Sequence, residues 1–203
     1  MSIYQSINTF CFIFPLGFST ASSSRVAMFL GKNQPSQAKY SARMGLFYAS
    51  LNSSLVALIL FFTRHTIFPS LFASDDEVLL QCSYTIPFLA FYVFADGIQC
   101  GLQGAIKGCG KQYIMAPIVL FSYWTVGVPL SYYFTFMKNN GNMECGLKDL
   151  CGVRGLVFGL LSGTWMHMIL MLGVFVFSID WTREAQLAQQ RLAVHSHGYE
   201  NVV

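Results

Sequence analysis

Long apolar runs alternate with short polar breaks along this chain. Five segments carry few charges and extend well past the length of a soluble strand: about Ile3 to Leu30, Ser41 to Phe62, Val78 to Ile106, Tyr113 to Met137, and Val153 to Ile179. A helix needs about 20 apolar residues to cross a hydrocarbon core of ~30 Å. Each segment meets that length, so the pattern predicts an all-α membrane protein with about five transmembrane helices. Strands are the weaker reading, because a membrane strand takes only ~10 residues and a helix satisfies its own backbone in lipid.

The breaks carry turn chemistry. Gly31 to Gln37 reads as a turn followed by a helix restart, with Pro35 near the new start. Phe68-Pro69-Ser70 closes the second segment, and Ser74-Asp75-Asp76-Glu77 reads as a cap with an acidic first turn. Lys107 to Lys111 is a tight glycine turn, and Asn139 opens a longer loop that closes near Arg154. Two regions follow: 1–180 as a transmembrane bundle and 181–203 as a cytoplasmic tail. Within the tail, Glu184 to Ala193 is rich in Ala, Gln and Leu and predicts a short surface helix, with a disordered end from His195.

Composition agrees with the pattern. Hydrophobic residues make up 54% of the 203 residues and charged residues 10%, against about a quarter charged in soluble domains. A net charge of +3 without basic runs gives no footing for nucleic acid. Arg25, Lys32, Lys39, Arg43, Lys107, Lys111, Arg183 and Arg191 fall on one side of the predicted membrane; Arg64, Lys138, Lys148 and Arg154 fall on the other. This bias places the first set, with the carboxy terminus, in the cytoplasm. Five spans then put the amino terminus outside, which suggests helices upstream of Met1.

Several motifs follow a known order. Pro15, Gly17, Ser19, Ala21, Ser23, Arg25, Val26 and Gly31 resemble the "P-x-G-x-S-x-A-x-S-x-R-V-G-x-x-L-G" pattern of multidrug and toxin extrusion (MATE) transporters, with Ala27 at the usual Gly. Gly104 to Gln112 resembles "G-x-x-R-G-x-G-x-Q", with Lys107 at the Arg position. Tyr123-Trp124 with Gly127 and Pro129 resembles "Y-Y-x-x-G-x-P". Gly152, Gly155, Leu156 and Gly159 resemble "G-x-x-G-L-W-x-G", and Asp180-Trp181 with Glu184-Ala185 resembles "D-W-x-x-E-A". Each motif is weak alone, and their shared order carries the resemblance. It implies the last five of twelve helices: the C-terminal bundle of a MATE transporter, with the first helix of that bundle missing. It implies a partner N-terminal half, a membrane-lipid surround, and export of organic cations or other xenobiotics against H+ or Na+, with no cofactor. The rival expectation is a transport-inactive membrane fragment or assembly subunit. A membrane enzyme is disfavoured, since no nucleophile triad, metal pattern or phosphate loop is visible.

Asp96 is the main candidate for chemistry. It lies near the middle of the third span, where a charged residue costs about 2.5–3.5 kcal/mol on insertion scales. Gln99 and Gln103 follow three and seven positions on, along the same helical face. The family resemblance implies proton or cation coupling at Asp96; a protonated, hydrogen-bonded structural Asp is the plain alternative. Tyr123 and Trp124 are cavity-lining candidates through cation–π attraction, with an interfacial belt as the other reading. His167 in the fifth span reads as a core histidine or as a proton relay. Gly97, Gly101, Gly104 and Gly108, with Gly155, Gly159 and Gly163, are spaced for close helix packing. Pro15, Pro87, Pro117 and Pro129 predict kinks or hinges. Cys145 and Cys151 share a loop predicted outside, where a disulfide is permitted. Cys11, Cys82 and Cys100 read as small packing residues, and no Cys/His spacing suggests a metal.

Overall fold

A computed structural model describes residues 2–64, 76–138 and 152–200. Helix α1 spans Ser2–Gly31, α2 Pro35–Phe62, α3 Asp76–Gly108, α4 Gln112–Met137, α5 Gly152–Phe177 and α6 Trp181–Glu200. Of these, α2, α4, α5 and the Ser83–Gly108 part of α3 are long and apolar enough to cross a membrane. Helix α1 is also long, at 30 residues, but Ser19, Thr20, Ser22, Ser23 and Ser24 dilute its apolar character. The bundle therefore agrees with the expected count of about five helices, four of them long and apolar enough to span.

The ends follow from local chemistry. Asn33 takes φ 55° between α1 and α2, and Pro35 opens α2 with a φ already suited to a helix. This start lies six residues before the Ser41 expected from hydropathy, because Gln37, Lys39 and Arg43 are helical without being apolar. Gly110 takes φ 72° in the turn from α3 to α4, a conformation that costs a glycine little. The Phe68-Pro69-Ser70 break and the Cys145–Cys151 pair lie outside the described residues.

Helix α3 is the hub and packs on α1, α2 and α5. Its glycines set the distances. A Cβ at Gly104 or Gly108 would strike the α1 backbone at Ser19 or Ser23, and one at Gly97 would strike Ser53 of α2. Helix α4 packs chiefly on α5. A Cβ at Gly155 or Gly159 would strike the α4 backbone at Phe134 and Thr135 or at Ser131. Outward faces are apolar: Phe10, Ile13, Phe47, Leu55 and Phe177 stand exposed, as expected where lipid replaces water.

The prolines act differently in different helices. Both α1 and α3 run through Pro15 and Pro87 without ending. In α4 the hydrogen-bond ladder widens instead. Phe121–Gly127 and Tyr133–Met137 are π-helical, with Val128 N–H reaching Tyr123 O and Lys138 N–H reaching Tyr133 O. Pro129 has no N–H to give to the turn before it, and the shifted register absorbs that loss.

Helix α6 is longer than the surface helix expected from composition, and it is docked. Asp180 caps its start, its Oδ1 accepting from Thr182 and Arg183 N–H at 3.0 and 3.3 Å. Glu184 is 3% exposed and meets Lys111 Nζ at 2.6 Å. Lys111 also donates to Ser178 O at the end of α5 (3.1 Å), and Gln189 donates to Gly31 O at the end of α1 (2.7 Å). The surroundings are dry: burial, then the Glu184 charge, pushes the adjacent Cys109 thiol up to about 12.

Two outcomes test this packing. Gly159→Val overpacks the α4–α5 contact and costs about 1–3 kcal/mol in a denaturant titration in detergent, while Gly173→Ala, with open space around it, is neutral or mildly stabilising. Glu184→Ala strands a half-dry ammonium at a cost of about 3 kcal/mol, and trypsin then cuts at Arg183 and Arg191 faster than in the parent.

Candidate functional site

A polar cluster sits where α3, α4 and α5 meet. Asp96 is 7% exposed and Gln99 is 6% exposed, both on α3. They are one helical turn apart, and Gln99 Nε2 donates to Asp96 Oδ1 at 2.5 Å. Among the described residues Asp96 has no cationic partner; the ion pair is the distant Lys111–Glu184 contact. An unpaired carboxylate in a low dielectric is strongly penalised, so the site favours whatever brings a proton or a positive charge to it.

Helix α4 supplies Tyr123, which lies within one of its π-helical stretches. Its hydroxyl lies 3.0 Å from Thr164 Oγ1 of α5. Thr164 already donates to Leu160 O at 3.0 Å, so its one proton is engaged and Tyr123 is the donor between them. The Tyr123 ring meets His167 edge to face, with centroids 6.0 Å apart. Tyr123 also stands near Asp96 and Gln99, so α4 reaches the acid of α3 through this side chain. Tyr92 lies near Asp96, Thr164 and Asn8 of α1, widening the cluster to four helices.

The structure brings together Asp96, Gln99, Tyr123 and His167 of the residues named from sequence. Gln103 is half-buried further along α3. Trp124 stands 70% exposed on the outer surface of α4, apart from this cluster. Thr164, Tyr92 and Asn8 were not expected. Helical spacing held a signal for two of them: Tyr92 is four residues before Asp96, and Thr164 is three before His167, each on its neighbour's face. Among the described residues no group of three or more His, Cys, Asp or Glu is placed to hold a metal.

The MatE family pattern matches residues 1–133. The chain belongs to the MatE family. Protein DETOXIFICATION 36 of Arabidopsis thaliana is 30% identical over 192 residues, covering 95% of this chain and 36% of its own length. Protein DETOXIFICATION 16 of the same plant is 31% identical over 192 residues, covering 95% of this chain and 37% of its own length. The crystal structure of the eukaryotic MATE transporter AtDTX14 superposes with a TM-score of 0.82 at 27% identity, covering 94% of this chain and 40% of that one. The chain thus spans little more than a third of the length of these relatives. MatE proteins are transporters rather than enzymes, and this member is an integral, multi-pass membrane protein. The MatE fold here is the five-helix bundle with its docked α6.

Within this MatE bundle, Tyr123→Phe removes one part-buried hydrogen bond and is expected to lower stability by about 1 kcal/mol. Trp124→Leu, at an exposed position, changes stability by less than about 0.5 kcal/mol. Paired unfolding curves in the same detergent measure both.

Proposed function

We propose that this chain forms part of an exporter that moves organic cations or other xenobiotics across a membrane in exchange for protons or sodium. The observation that carries this reading is Asp96: a carboxyl without a cationic partner among the described residues, buried within a spanning helix, in a chain of the MatE family. Binding of a coupling ion at Asp96 and binding of a cationic substrate compete for one negative charge. Differential binding of the two shifts the population between states open to opposite sides.

The imbalance of basic residues, eight on one side against four on the other, supports a cytoplasmic position for α6 and the carboxy terminus. The chain covers 36% of the first relative's length, which favours a second reading. The bundle works with further helices, supplied by a longer polypeptide or by a partner half, that close the other side of the cavity.

A cell-based efflux assay with a fluorescent organic cation tests the reading. Asp96→Asn is expected to reduce efflux at least about 10-fold at equal expression, as for loss of an interaction worth ~1.4 kcal/mol or more. Equal efflux by the two proteins removes Asp96 from the mechanism. No efflux by the parent chain alone, restored when the missing helices are co-expressed, selects the assembly reading.

A further inference from the structure

His167 is a buried ionisable side chain that the export reading does not use. It is 2% exposed, in the middle of α5. Neither Nδ1 nor Nε2 has a hydrogen-bond partner among the described residues, and Gln99 Oε1 in the same cluster is likewise unbonded. An unsatisfied buried polar atom loses its water without gaining a bond in return. A Leu or Phe would fill this volume without that penalty, so packing alone does not account for an imidazole here.

Its neighbours are chemically specific. From α4, Tyr123 presents its ring to the imidazole, while the same tyrosine lies near Asp96 and Gln99 of α3. From α5 itself, Thr164 stands one turn earlier and is held to Tyr123. Tyr92 and the Cys100 thiol of α3 are further titratable groups near Asp96, and Asn8 is a contribution of α1. Among the described residues, two cations lie further off on these faces: Arg154, three to four turns back along α5 over Tyr84 and Phe88, and Lys107, three turns on from Asp96 along α3. The cluster thus holds one acid and one base on different helices, with Tyr123 between them.

We propose that His167 is a second proton-binding residue of the transport site, sharing the coupling proton with Asp96. Imidazole gains and loses a proton near neutral pH. When the proton leaves the Asp96 carboxyl and binds an imidazole nitrogen, a neutral acid and a neutral base become a carboxylate and an imidazolium. The net charge inside the membrane does not change, so the proton changes helix without a bare charge being created in lipid. The inference rests on the export reading and narrows its coupling ion: imidazole binds protons, whereas hard metal cations favour oxygen ligands.

The test is nitrogen-15 NMR of the histidine-labelled chain in nanodiscs, from about pH 9 to about pH 4. The chain has four histidines, and His167→Gln identifies the signal. Expected is conversion of the His167 ring to imidazolium within that range. Its midpoint is displaced by about one pH unit in Asp96→Asn, where no carboxylate is left to steady the imidazolium. Asp96→Ser serves the same purpose if Asp96→Asn fails to fold. A ring that stays neutral down to pH ~4 overturns the proposal, and so does a titration unmoved by loss of the carboxyl. The readout needs no transport, so absence of efflux alongside a coupled titration counts against the export reading and for the proton site.

Discussion

Backbone contact between helices is the constraint on which the rest of this molecule depends. Lipid tails are as apolar as leucine, so burying apolar surface gives little drive for helices to associate; close van der Waals packing supplies it. Helix α3 meets that need with a glycine edge. Gly104 and Gly108 lie against the α1 backbone and Gly97 against α2. At 3.6 residues per turn this edge lies roughly opposite the one that carries Tyr92, Asp96 and Gln99. Fixing the glycine edge against α1 and α2 therefore turns the acid towards α4 and α5. A carboxylate that would otherwise meet lipid is held inside by residues with no side chain at all.

The second half of the bundle repeats the principle in a different way. Gly155 and Gly159 of α5 admit the backbone of α4, and Ser131 and Thr135 add long bonds to Leu156 O and Gly152 O at 3.3 and 3.4 Å. The α4 ladder is π-helical on both sides of Pro129. Wider turns change which side chain faces inward at each level. Tyr123 ends up in the cluster and its sequence neighbour Trp124 ends up outside.

The fold was legible in the chain because membrane helices announce themselves by length and polarity. Helix ends were read within a few residues wherever a glycine or proline marked them, as at Gly31, Pro35, Gly108 and Gly152. Hydropathy alone begins the second apolar segment at Ser41, because it cannot see a helix that runs on from Pro35 through Lys39 and Arg43; the proline marks the start. The candidate site was half legible. Asp96 stood out as a charge in an apolar run, and Gln99 followed by spacing. Thr164 and Tyr92 are ordinary residues in a membrane helix, and only the packing of α4 on α5 shows what they touch. The docking of α6 was hidden for the same reason: Glu184 and Lys111 are 73 positions apart, and nothing local pairs them.

That docking has a mechanical consequence. One short helix grips the last carbonyl of α1 through Gln189, the α3–α4 turn through Glu184, and, by way of Lys111, the end of α5. It works as a crossbeam over one mouth of the bundle. Sliding α1 past α5 at that mouth would shear at least one of these fastenings, and the carboxylate of one, Glu184, is buried. The helices beneath it are thereby constrained to tilt together, and the freedom to spread apart is left to the opposite mouth.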